Sequence, residues 1–169
     1  MVHVLFFRHG PAEDRDPLQW PDDDDRPLTR AGRSETRRAA RGLAATDPDV
    51  DVVISSPALR AHQTAEILRE ELDLNRPLVL WPELAPGESA SGVLARLANR
   101  SGKLRPPVLV GHEPTLGEVI GLAIGGEAVS WIRLSKAGAA SVTFAQRVVP
   151  GGAVLDWLLT RRQLGRMGR

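Results

Sequence analysis

Cysteine is absent from the 169 residues, which removes disulfides, thiolate metal sites and every mechanism that needs a thiol nucleophile. An excess of charge of one sign is missing too. The 22 basic residues nearly balance the 21 acidic ones, leaving a formal net charge of +1, so no global field selects nucleic acid or a membrane surface as the partner. No apolar run approaches the roughly 20 residues of a membrane span. The opening VLFF is also too short for a signal-peptide core and meets Arg8 at once. These absences predict a soluble, cytoplasmic protein with no membrane partner. With 42% hydrophobic residues, the chain has the material for one globular core. A single domain is expected over residues 1–160, followed by a basic tail, RRQLGRMGR at 161–169, that is expected to fray.

What is present alternates. Val2 to Phe7, VVIS at 52–55, LVLW at 78–81 and VLV at 108–110 are continuous apolar runs, the pattern of strands covered on both faces. Residues 140–144 and 153–159 form a weaker pair around the turn sequence PGG at 150–152. Amphipathic helical stretches lie between the strands. In residues 29–46, Gly32, Thr36, Ala39 and Leu43 share one face and Arg30, Arg33, Arg37 and Arg41 the other. Residues 58–72 would bury Ala61, Ala65, Leu68 and Leu72, and residues 116–124 Leu116, Val119, Ile120 and Ile124. Residues 89–99 would bury Leu94, Leu97 and Ala98. The order predicts an α/β fold: three α/β/α layers around a mostly parallel central sheet.

In open α/β sheets ligands gather beyond the carboxyl ends of the strands. Arg8-His9-Gly10 follows the first strand, SSPALR the second, and Gly111-His112-Glu113-Pro114 the VLV strand. In SSPALR, Ser56 can cap a helix that starts at Pro57 and carries Arg60 in its first turn. Two arginines and two histidines, distant in sequence, are thus expected at one sheet edge. Arginine forks suit phosphoryl oxygens, and a neutral imidazole among them can attack phosphorus. His9 fits the nucleophile, with Gly10 allowing a sharp turn. Arg8 and Arg60 fit phosphate binding, and His112 fits a cation or donor that holds charge on the transferring group.

These residues carry a resemblance. FFRHG, RPLTRAGR, SSPALRAHQTA and VGHEP, in that order, resemble the histidine phosphatase superfamily of phosphoglycerate-mutase-like enzymes. The RPLT and PELAPG segments look most like its compact SixA-like branch of phosphohistidine phosphatases. The resemblance implies a covalent phosphohistidine on His9, a phosphoryl group bound by Arg8, Arg60 and His112, and no metal or cofactor. Its implied substrate is phosphohistidine on a protein. A phosphomonoesterase for a small metabolite or nucleotide, and a silent phosphate-binding module, are the competing readings.

The proton donor is the weakest point of the sequence. Glu83, after the third strand, is the leading position, with Glu113, Glu13 and Asp14 behind it. A phosphohistidine substrate relieves the need, because its leaving imidazole can be protonated on the distal nitrogen. Other motifs read as structural. DVDVV at 49–53 matches an aspartate-nucleophile pattern but precedes its strand, and GESASG at 87–92 misses the G-x-S-x-G spacing. There is no Walker A sequence. The run Asp22 to Asp25 and the arginine stripe read as solvated surfaces, His62 as a surface or packing residue, and His3 as a satisfied structural histidine.

Overall fold

The computed structural model describes residues 1–46, 48–100 and 105–168. Six strands form one sheet: β1 (Val2–Arg8), β2 (Val52–Ser55), β3 (Val79–Leu80), β4 (Pro107–Gly111), β5 (Ala139–Phe144) and β6 (Ala153–Leu159). They lie in the order β3-β2-β4-β1-β5-β6. β1, β4, β2 and β3 are mutually parallel, and β5 is antiparallel to both its neighbours, so it alone runs against the rest. The sheet is mostly parallel, as expected.

The helices are α1 (Arg30–Ala44), α2 (Leu59–Glu71), α3 (Ala90–Ala98), α4 (Thr115–Gly125) and α5 (Arg161–Met167). Alternation along β1 shows why both faces need cover. Val4 and Phe6 enter one core with residues of α3 and α4, while Leu5 and Phe7 enter the other with residues of α1, α2 and α5. All four are at most 5% exposed. The layers are therefore α/β/α.

Three expectations are corrected. LVLW does not form a covered strand: β3 is a two-residue edge strand with Val79 and Leu80 exposed, and only Trp81 beyond it is buried. Ala98 faces solvent on α3, whose inward face is instead Ala90, Val93, Leu94 and Leu97. The basic tail does not fray. Thr160 makes a reciprocal capping box with Gln163, and Leu164 is fully buried against α1. Gly42 of α1 permits this contact, since a Cβ there would stand 1.9 Å from the Leu164 carbonyl oxygen. Arg169 of that tail lies outside the described residues. Among the described residues no helix is long and apolar enough to cross a membrane.

Candidate active site

Register brings the site together. Arg8 of β1 is level with Gly111 of β4, and the His9 amide continues the ladder to the Gly111 carbonyl at 3.0 Å. On the other side of β4 the Ser56 amide reaches the Val110 carbonyl at 2.9 Å. His9, Ser56 and His112 therefore emerge at one height beyond the carboxyl ends of β1, β2 and β4. The rings of His9 and His112 lie 5.0 Å apart, tilted by 52°. Both are buried, at 7% and 4% exposure.

The protonation of His9 follows from a single hydrogen bond. Its Nδ1 is 2.7 Å from the Gly10 carbonyl oxygen, which can only accept. Nδ1 must carry the proton, and the Nε2 lone pair of the neutral ring is free. Burial is the main force lowering the His9 pKa to about 3, with Arg60, Arg8 and Lys136 adding repulsion and the Gly10 carbonyl opposing. His112 is lowered to about 2 by burial first, then by His9 and the two arginines. Both imidazoles are neutral near pH 7. This corrects the expectation of a cationic His112 and leaves the donor alternative.

Gly10 is required for a reason other than the expected sharp turn. Its φ is not in the left-handed region, but a Cβ on it would stand 1.9 Å from Thr36 Oγ1, inside the packed start of α1. The Gly10 amide donates to Thr64 Oγ1 at 3.0 Å, and that hydroxyl donates to the Arg60 carbonyl at 2.8 Å. The segment after β1 is thus tied to α1 by packing and to α2 by hydrogen bonds.

Each arginine is held at one end. Arg8 Nη1 donates to the Leu134 carbonyl at 2.9 Å, and the Leu134 amide donates to Glu113 Oε1 at 2.9 Å. Arg60, 3% exposed, donates from Nη1 to the Asp23 carbonyl at 2.7 Å, with Nη2 3.2 Å from Asp23 Oδ2. Buried Nε of Arg8, Nε of Arg60 and Nδ1 of His112 have no hydrogen-bond partner. Buried polar groups left without partners point to an absent ligand, and here two are guanidinium donors. Arginine stays protonated, so the unmet need is for an anion.

Asp23 is the residue that sequence reasoning missed. Asp22 to Asp25 reads as a solvated run, yet Asp23–Asp25 forms a 3₁₀ turn capped by Asp22. The Asp23 carboxylate binds Arg26 at 2.9 and 3.2 Å as well as Arg60. Arg26 chiefly, with Arg60, holds Asp23 below the usual carboxylate range. The adjacent RPLT motif was the available sign, since Arg26 needs an acidic neighbour. Ser56 also departs from expectation. It does not cap a helix starting at Pro57: α2 starts at Leu59, and Ser56 Oγ lies 2.8 Å from His112 Nε2.

The proton-donor candidates do not gather around His9. Glu83 is paired with Arg96 at 2.6 and 2.8 Å, and that hydrogen bonding keeps its pKa low, the wrong direction for an acid. Glu113 is raised by burial, but its carboxylate accepts from the Leu134 amide and faces Arg8. Glu13 and Asp14 are exposed on the loop after β1. The set-aside motifs have structural uses. Asp49 and Asp51 precede β2, at the opposite sheet end, and pair with Arg105 and with Arg76 and Arg100. Ser89 caps α3, and His3 Nδ1 bonds Thr143 Oγ1 at 2.8 Å. On the arginine stripe, Arg37 and Arg41 bind Glu70 and Glu71 of α2.

Comparison with known proteins converges on one family. A sequence model of the histidine phosphatase superfamily (branch 1) matches residues 4–86. The chain is 31% identical over 160 residues to the phosphohistidine phosphatase SixA of Escherichia coli, covering 94% of each. A structure of the protein histidine phosphatase SixA complexed with tungstate superimposes with a TM-score of 0.84 at 27% identity, over 96% of this chain and 99% of that one. A mycobacterial glucosyl-3-phosphoglycerate phosphatase shares the fold, with a TM-score of 0.69 at 18% identity over 94% and 99% of the two chains.

Proposed function

The chain belongs to the histidine phosphatase superfamily and is a phosphatase, and from that premise we propose that it removes phosphate from phosphohistidine on a protein by transfer through His9. The observation that carries the nucleophile assignment is the Nδ1–H bond of His9 to the Gly10 carbonyl. It presents the Nε2 lone pair in a pocket where three buried polar atoms lack partners. Nε2 attacks phosphorus, and the bond between phosphorus and the substrate nitrogen breaks. The departing imidazole takes that electron pair and carries a proton on its other nitrogen. Water then attacks the phosphoryl group on His9, returning the free imidazole and inorganic phosphate. Arg8 and Arg60 supply the positive charge that holds the phosphoryl oxygens, and His112 donates to them.

The choice of phosphohistidine rests on the proton budget of the site. An alkoxide leaving group needs an acid, and Glu83 is held ionised by Arg96 while the Glu113 carboxylate is occupied by the Leu134 amide. An imidazole needs no such help. The SixA of Escherichia coli, a phosphohistidine phosphatase, supports the same choice. The competing substrate is a small phosphate ester, the class named for the mycobacterial relative. Side-by-side turnover of a phosphohistidine carrier protein and a panel of sugar and nucleotide monoesters separates the two. Faster phosphohistidine turnover is expected, and much faster monoester turnover overturns the choice. Metal independence belongs to the same proposal, since two guanidiniums supply the charge. Full activity is expected after exhaustive chelation, and loss restored by a divalent cation contradicts it.

A further inference from the structure

Ser56 is fully buried between β2 and α2, and every group it carries is committed. Its amide donates to Val110, its carbonyl accepts from Ser55 Oγ at 2.8 Å, and its hydroxyl oxygen accepts from the Ala58 amide at 3.2 Å. The hydroxyl lies 2.8 Å from His112 Nε2, while Nδ1 of the same ring is buried without a partner.

Two proton placements are possible, and they differ in what they strand. If Nε2 carried the proton and donated to Ser56, the serine proton would have no acceptor among the described residues. Nδ1 would then present a bare lone pair to a pocket built for an anion. If the serine hydroxyl donates to Nε2, its proton is used and Nδ1 carries the hydrogen. The ring then offers a donor where the pocket lacks a ligand. From this geometry we infer that Ser56 is a positioning residue that holds His112 in the Nδ1–H tautomer, so that His112 donates to a phosphoryl oxygen during transfer. The inference rests on the reading of His112 as a phosphoryl contact.

The test combines spectroscopy with kinetics. Long-range ¹H–¹⁵N spectra of the ¹⁵N-histidine-labelled wild type are expected to show His112 protonated at Nδ1. In Ser56→Ala the proton is expected to move to Nε2, with kcat lower by about 10²-fold, approaching the loss of a donor, and KM changed far less. His112→Gln tests the underlying reading separately, and equal turnover in that variant sinks the phosphoryl contact itself. With His112→Gln impaired, an Nε2–H tautomer in the wild type overturns the role of Ser56 alone. So does unchanged turnover in a folded Ser56→Ala. The wild-type spectrum needs no variant to fold.

Discussion

The chemistry of the site depends on single atoms, and Gly10 shows it most sharply. Its carbonyl sets the proton on His9, and its missing side chain admits Thr36 Oγ1, which a Cβ would meet at 1.9 Å. Gly10→Ala must push either α1 or the His9 segment aside. Overpacking of this kind costs about 1–3 kcal/mol, and turnover should fall at least tenfold because the imidazole loses its alignment. Denaturant melts and steady-state kinetics check both, and a variant with native turnover contradicts the tie between Gly10 and His9. Asp23 acts at the same scale. Asp23→Ala leaves Arg60 with the lost Oδ2 contact and the Arg26 guanidinium nearby without its carboxylate. Since Asp23 is one-third exposed, the stability cost should stay near 1 kcal/mol, while turnover drops because the Arg60 fork is less fixed. Unchanged kinetics in this variant would reduce Asp23 to a surface ion pair.

At the scale of elements, α5 turns a nominal tail into part of the core. Leu164 is fully buried against α1, and α1 begins at the site, where Gly32 and Thr36 pack beside Pro11 and Gly10. Leu164→Ala should cost about 2–5 kcal/mol with kcat little changed, as measured by thermal unfolding and turnover at low temperature. A negligible stability cost would show that α5 adds nothing to the core. Periodicity in the sequence made β1, β2, β4 and the inward faces of α1 and α2 legible, because burial on both sides demands unbroken apolar runs and one-sided burial demands a stripe. It misplaced β3 because an edge strand can carry the same LVLW run without being covered. It missed α5 because Arg161, Arg162 and Arg166 mask the two buried positions, Leu164 and Gly165, on which the helix docks. The site residues were legible from their places at strand ends. Their protonation was not, since that follows from contacts such as Gly10 to His9 and Ser56 to His112 that no spacing encodes. The role of Asp23 was hidden likewise, because a carboxylate run in a loop looks the same whether or not an arginine from another element folds onto it.

The whole molecule responds to pH through the two neutral histidines. Their folded pKa values, about 3 and about 2, lie below the 6.5 of the unfolded chain, so the unfolded state alone takes up protons as the pH falls below 6.5. Stability is complete above that value and declines towards pH 5, before most carboxylates titrate. Glu113, raised by burial, opposes the decline. His112→Gln should flatten the slope of unfolding free energy between pH 6.5 and 5, and an unchanged slope would place the proton uptake elsewhere. Over the molecule as a whole, the account reduces to one covalent event at His9. Rapid quenching of wild-type protein during turnover of a ³²P-labelled phosphohistidine carrier, followed by peptide mapping, tests that event most directly. The account predicts an acid-labile, base-stable label on the peptide that contains His9, absent from His9→Ala together with turnover. Label on another residue, or turnover by His9→Ala at the wild-type rate, would contradict it.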